Sequence, residues 1–515
     1  MGPRTPSCRT SSSRSWPDDT IWISWVDREG VIISSWFSLF ENLPLVLVLL
    51  LVLQRFGRRQ WGEISELTAE GHSVPLHPVN ADGTLGKDEV DVNFYPVDRV
   101  YSGWSLLGRA TTVVGANVEG DGSDAPAEEE HTQSRDKTGD NVVGTTVDGK
   151  PEEAKSGGTS GWDRARDAYR KACDDIIKAH NLILKISWPE TSRLAEWTIV
   201  AHAQTLGETD EFIRGHIPEA KYGRDFDRYS TRHIRDFLNL QCNEQSGTRT
   251  LRLIVMNRLR PIHDLDGKQL WDAFWQCFLC TLSPAVPQPP LTIPPGHLRL
   301  WMNGVHHGDI SLNNLMYNLS PSGEPKGVLN DYDLASWAKF PTTNSDRTGT
   351  IPFMALDMLN GGLEKRIPRL YRYDAESFVW VLTYITIVKV EYRSCTIKIS
   401  RPEEIDPWFM GVCWPHITSK SSFHNFYDSD HLPVAESYKQ YATTIGSLIS
   451  YWAQLHNPRL RSRSSGSTES EIDDPKGASE NLIKGVEMAL GKDAPGVFAE
   501  VRALLLEAIG APEVM

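Results

Sequence analysis

The sequence predicts an α+β body in two parts, β-rich first and helical second, with disordered segments at its ends and in its middle. Three observations lead there. At 515 residues the chain exceeds the roughly 250–300 at which one hydrophobic core stops growing, and with 40% hydrophobic residues and 17 Trp it can fill more than one. Strand-like patterns dominate in 18–256, whereas apolar residues recur mostly at helical spacing in 257–456. Polar stretches without an apolar face interrupt both: 1–17, about 118–160, and 457–480, the last a linker to a helical tail at 481–515.

The elements follow in order. IWISWVDREGVIISSWF, from Ile21 to Phe37, reads as strand, charged turn and strand. The run LPLVLVLLLVL, Leu43 to Leu53, has eleven residues, short of the roughly 20 needed to span a bilayer. Its distance from Met1 and the intervening DREG oppose a signal peptide. It is expected as a buried helix or strand, with a membrane anchor as the lesser alternative. GWSLLGRATTVVGANV is a further strand signal. Glu119 to Lys155 then holds eleven acidic and four basic residues, a net of −7, and is expected as a mobile insertion. Helix, strand, helix and strand come next in WDRARDAYRKACDDIIKAH, LILKIS, SRLAEWTIVAHAQTL and LRLIVMNRL. A helix from Gly267 runs into SPAVPQPPLTIPPG, whose six prolines exclude helix, so about 283–296 is expected as an inserted loop before HLRLWMNGV resumes the helix. LMYN and KGVLNDYD form a hairpin across a Pro/Ser/Gly turn, and from Arg372 the pattern is mostly helical, with DAESFVWVLTYITIV as an apolar helix.

Composition excludes some functions. The net charge of −14 opposes a nucleic-acid groove, which needs clustered Lys and Arg. Seven scattered cysteines suit a reducing, intracellular compartment (cytoplasm or nucleus) rather than a disulfide scaffold. Cys277 and Cys280 have the spacing of a metal motif, but they lie in an aromatic-rich helix without a second pair, so buried thiols are expected.

HHGDISLNNLMY, residues 306–317, sets Asp309 five positions before Asn314. Phosphoryl transfer needs a base near the attacking hydroxyl, oxygen donors for Mg²⁺, and a cation facing the nucleotide phosphates. Asp309, Asn314 and Asp331 supply the first two, and the hairpin explains how Asn314 and Asp331 can face one ion. Each residue also has a structural reading: Asp309 as a turn cap, Lys185 as a solvent-facing strand lysine, Glu196 and Arg193 as a surface helix pair, and Asp374 as an N-cap. These readings predict no particular order along the chain, whereas phosphotransfer does.

With those residues in place, the sequence resembles the eukaryotic protein-kinase superfamily, and within it the fungal-type protein kinases, whose catalytic loop commonly reads H-[RG]-D-I-S. HGDISLNN matches H-R-D-x-x-x-x-N, DYDLA stands where D-F-G-L-A is usual, GTIPFMALDML resembles the end of an activation segment, and YDAES resembles D-x-W-S. The resemblance implies a two-lobed kinase-like fold, with a β-rich N-lobe within 18–256 and a helical C-lobe in 257–456. It casts Asp309 as catalytic base, Asn314 and Asp331 as Mg²⁺ ligands, Lys185 with its partner Glu196 as the phosphate-facing cation, and Asp374 as a brace for the catalytic loop. Gly108, Ala110 and Val113 fall on the loop and strand covering ATP. Departures are Ala110 for a second glycine, Gly308 for the Arg that grips a phosphorylated activation loop, Ser311 for a Lys, and Asp333 for the Gly of D-F-G.

The implied activity is Mg²⁺- and ATP-dependent phosphorylation of Ser/Thr hydroxyls on a protein substrate, without a membrane span and with no oligomeric state indicated. Two alternatives stand beside it. H-G-D is also the loop spelling of choline and aminoglycoside phosphotransferases, and the departures suit a pseudokinase scaffold.

Overall fold

The computed structural model describes residues 19–68, 72–103, 109–118, 161–240, 247–265, 267–279, 296–340, 349–360, 371–393, 396–409 and 419–420. Both inserts, both tails, Gly108 and Cys280 lie outside the described residues. Within them the fold is mixed α/β.

Six antiparallel strands close into a barrel: β1 (Ser73–Pro78), β2 (Val90–Ser102), β3 (Thr112–Val118), β4 (Leu182–Ser187), β5 (Ala220–Phe226) and β6 (Leu251–Asn257). Neighbours run β6-β4-β3-β2-β1-β5, and β5 returns to β6. Strand alternation sorts the side chains. Leu182 and Leu184 of β4, and Leu251, Leu253 and Val255 of β6, fill the barrel with Val74, Leu76, Val92 and Phe94. The alternate residues Ile183, Ile254 and Met256 leave the barrel and join a second cluster with Trp197, Ile199 and Val200. Lys185 shares their parity, so it stands on the outer face of β4, opposite Val113 on one side and Ile254 on the other.

Two helices flank the barrel, α1 (Gly161–Ala179) before β4 and α2 (Glu196–Thr209) after it. α2 buries Glu196 and Trp197 in its first turn. The turn after β1 reaches this helix, where Thr198 Oγ1 donates to Gly83 O at 3.0 Å. Gly83 has φ +78, and a Cβ there would lie 2.8 Å from Thr198 Cα, so the close approach requires glycine.

The helical part centres on α3 (Gly267–Leu279), α4 (Gly296–Met302) and α5 (Tyr371–Ile387). Trp271, Phe274 and Phe278 of α3 pack with Phe378 and Trp380 of α5 in the largest described core. Cys277 is buried there with its Sγ 3.7 Å from Met316 O. The expected hairpin is present as β7 (Leu315–Leu319) and β8 (Pro325–Leu329).

The stretch after Arg372 carries the expected helix in α5 and adds a hairpin, Lys389–Arg393 with Thr396–Ser400. One expectation is corrected. Residues Leu43–Gln54 do form a helix, but Val46 is its only buried residue. Leu45 is 68% exposed and Val48 58%. The run is apolar around its whole circumference and carries no single stripe for a core to select.

Candidate active site

The parity of β4 delivers Lys185 to the buried first turn of α2. Its Nζ donates to Glu196 Oε2 at 2.7 Å and to Asp331 Oδ1 at 2.6 Å. Glu196 turns its other oxygen to the backbone N–H of Tyr332, which donates at 3.0 Å. Asp331 has φ 65, a left-handed conformation that aspartate tolerates better than most residues. One lysine and one glutamate thus tie the barrel, α2 and the segment after β8 together.

The loop before β7 is held with equal care. Gly308, at φ 70, donates its N–H to Asp374 Oδ2 at 3.1 Å, and His297 Nε2 lies 3.4 Å from the same oxygen. Asp374 therefore secures the loop from the first turn of α5. Buried His307 donates from Nε2 to Asn330 O at 2.9 Å and accepts the Asp309 N–H at Nδ1 (3.3 Å), which assigns a neutral ring with its proton on Nε2. Asn314 Nδ2 donates to Asp309 O at 2.8 Å. The Asn330 N–H donates to Asn314 O at 2.8 Å, drawing the hairpin ends together.

Two participants escaped the sequence reading. Arg109 Nη1 donates to Asp333 Oδ2 at 2.9 Å, and Thr350 Oγ1 donates to Asp309 Oδ1 at 2.8 Å. Thr350 lies inside the GTIPF motif, which was the available signal. The partner of Arg109 is 224 positions away, and no local pattern announces it.

Lys185, Asp309, Asn314 and Asp331 line one cleft of about 740 Å³ with Arg109, Ala110 and Val113 among its other walls. Glu196 stands behind Lys185. Ala110 has φ 43, a left-handed backbone at the position where a second glycine is usual.

Charge in the cleft is compensated. Burial alone would lower the Lys185 ammonium, but the Asp331 and Glu196 carboxylates override it and hold it above its usual range. Burial alone would raise Asp331, but Lys185 prevails and its pKa is lowered. Asp333 is likewise buried yet lowered, by Lys185 and Arg109. Asp309 differs. Burial and then the nearby Asp331 charge push its pKa up, against the pull of Thr350 and Arg109. A raised carboxylate in a cleft with a hydroxyl at donor distance is equipped to accept a hydroxyl proton.

The oxygen donors fit a hard divalent cation. Among the described residues no three His, Cys, Asp or Glu side chains converge as a metal site. One carboxylate and one amide, completed by phosphate oxygens, is the donor set Mg²⁺ favours over a cage made by protein alone.

The barrel, the helical core and a cleft with a bridging lysine are consistent with a kinase-like domain. Residues 295–386 match the model of the family described as fungal protein kinase, Pkinase_fungal, and the match places that segment in the fungal-type protein kinase family. It takes in Asp309, Asn314, Asp331 and Asp374, and leaves Lys185 and Glu196 outside. No curated protein matches the chain.

Proposed function

We propose that the chain is an ATP-dependent protein kinase that transfers the γ-phosphate to Ser or Thr hydroxyls, with the barrel as one lobe and the helical core as the other. The observation that carries this reading is the placement of Lys185 Nζ between Glu196 and Asp331 in the cleft that Asp309 also lines. A cation held by two carboxylates is fixed in position before any nucleotide arrives, and it can steady the α- and β-phosphates without reorganising. Asp309 accepts the proton of the substrate hydroxyl and orients its oxygen toward the γ-phosphorus. The Thr350 hydroxyl on Asp309 Oδ1 supports this role, since a side-chain hydroxyl already fits at the carboxylate. Mg²⁺, held by Asp331 and Asn314, would neutralise charge on the phosphate oxygens. Asp374 and His307 act by positioning, because their hydrogen bonds fix the loop on which Asp309 sits.

The test is radiolabel transfer from ATP to protein substrates, compared with transfer to amino alcohols and aminoglycosides. Asp309→Ala should lower transfer to protein by about 10²–10⁴-fold while nucleotide affinity stays within a few-fold of the parent. Transfer to small molecules only would assign the other substrate class. Unchanged transfer in the variant would remove Asp309 from its role.

A further inference from the structure

The apolar helix Leu43–Gln54 has no part in the phosphotransfer site. Ten of its twelve residues are Leu or Val, and Leu45, Leu47, Val48, Leu50, Leu51 and Val52 are all exposed. A helix that docks in a protein groove needs one apolar stripe and a polar remainder. Apolar character around the whole circumference is instead the pattern of a helix surrounded by core or by lipid.

Its surroundings point to lipid. The preceding strands and turns expose Trp22, Trp25, Trp36 and Phe40, and the turn after the helix exposes Trp61. Indole rings with an apolar body and one N–H settle at the boundary between headgroups and acyl chains. The helix ends in QRFGRRQW, where Arg55, Arg58 and Arg59 are exposed and, among the described residues, only Arg58 has a nearby acid, Glu63 at 3.6 Å. Such a cluster complements anionic headgroups. Twelve residues give a rod of about 18 Å. That length enters one leaflet of a hydrocarbon core roughly 30 Å thick and does not cross it, and no described helix is long and apolar enough to cross a membrane. The preceding hairpin, Ser24–Val26 with Val31–Ile33, is fixed to the folded body. Arg235 pairs with Asp27 at 2.6 Å and with Glu29 at 2.8 Å, so the segment is presented from a firm base.

We propose that Leu43–Gln54 inserts into one leaflet of an anionic phospholipid membrane, with the flanking tryptophans at the interface and Arg55, Arg58 and Arg59 on the headgroups. The full chain should sediment with vesicles of phosphatidylcholine mixed with phosphatidylserine, and much less with phosphatidylcholine alone. Leu47→Glu with Leu50→Glu should lower partitioning by about tenfold or more, as charge in an apolar leaflet demands. Both positions are exposed, so the thermal unfolding temperature should not change. Glutamine at the three arginines should lower binding to the mixed vesicles by about tenfold or more and remove its salt dependence. Three results would overturn the proposal. The parent chain stays in the supernatant with both vesicles, or the double Glu variant sediments as the parent does, or sedimentation without lipid shows a dimer that the double substitution dissolves. The last would make a second copy of the chain the occupant.

Discussion

Arg109 and Asp333 form an ion pair of 2.9 Å that joins the segment before β3 to the second acid of DYD. The Arg109 side chain is 32% exposed and that of Asp333 2%, and the buried carboxylate is compensated by Lys185 and by this guanidinium, with Arg252 as a further cation. The pair gives Asp333 a partner where a flexible glycine is usual, and a fixed loop follows. Arg109→Met should therefore destabilise the protein by about 1.5–3 kcal/mol, the range for a hydrogen bond to a charged group, because Lys185 still faces the carboxylate, with part of the loss recovered by adding Asp333→Asn. Denaturant unfolding of the two single variants and the double variant measures the coupling. Additive effects would show that the two residues act independently.

Ala110 bears a left-handed backbone, φ 43, that costs a residue with a Cβ roughly 1–2 kcal/mol. Glycine removes that cost and gives back part of it as unfolded-state freedom. Ala110→Gly should raise stability by about 0.5–1 kcal/mol and tighten nucleotide binding, because the wall of the cleft loses a methyl group. A lower unfolding temperature would show that the methyl packs better than the backbone suffers.

Acid should weaken the fold in a defined window. Burial lowers His216, His263 and His307 from 6.5 to about 4. The unfolded chain then takes up protons first, so the stability these rings confer is complete above pH 6.5 and is lost as pH falls toward 4. Asp264 works in the opposite sense. Burial raises it to about 6, so the native state binds that proton first between pH 6 and 3.8. Burial raises Glu196 in the same sense as Asp264; three imidazoles outweigh these two carboxyls, and the unfolding temperature should fall from pH 7 to pH 5, as thermal scans across that range would measure. Equal temperatures at both ends would mean that the rings are protonated in the fold.

Gly308 stands where an Arg would hold a loop phosphate, and its backbone N–H is already engaged by Asp374. Thr342, Thr343 and Ser345 lie outside the described residues; a phosphate on any of them would meet a glycine at 308 where the kinases that the chain resembles carry the docking Arg. Alanine at all three positions should leave turnover within a factor of about two, since no charge-assisted bond is lost. A loss of tenfold or more would show that another cation takes the role.

The site was legible where chemistry follows chain order. Asp309, Asn314 and Asp331 were readable because a hairpin of ordinary length joins the last two, and Lys185 because LILKIS is a strand whose parity fixes the side it faces. The Arg109–Asp333 pair was not, since only folding brings its members together. β1 was invisible for a different reason. SVPLHP has two prolines in six residues, which argues against a strand with neighbours on both sides. The fold divides the pairing, with Ser73–Leu76 on β2 and His77–Pro78 on β5. LPLVLVLLLVL reads as a buried helix or strand; its length and apolar run do not decide between the two, and hydrophobicity does not decide its burial, because a residue's fate depends on what the rest of the chain offers to cover it.

The divided pairing of β1 also determines where the chain tolerates trimming. A fragment that starts at Gly103 would keep the lysine and the catalytic loop yet leave strand edges open, each a row of N–H and C=O groups ready to recruit another molecule. One cut to the family-matched stretch, 295–386, would lack the cation altogether. The smallest piece worth expressing begins before Ser73, and its yield as a monodisperse sample, set against that of the shorter pieces, would report how much β1 and β2 protect the other four strands.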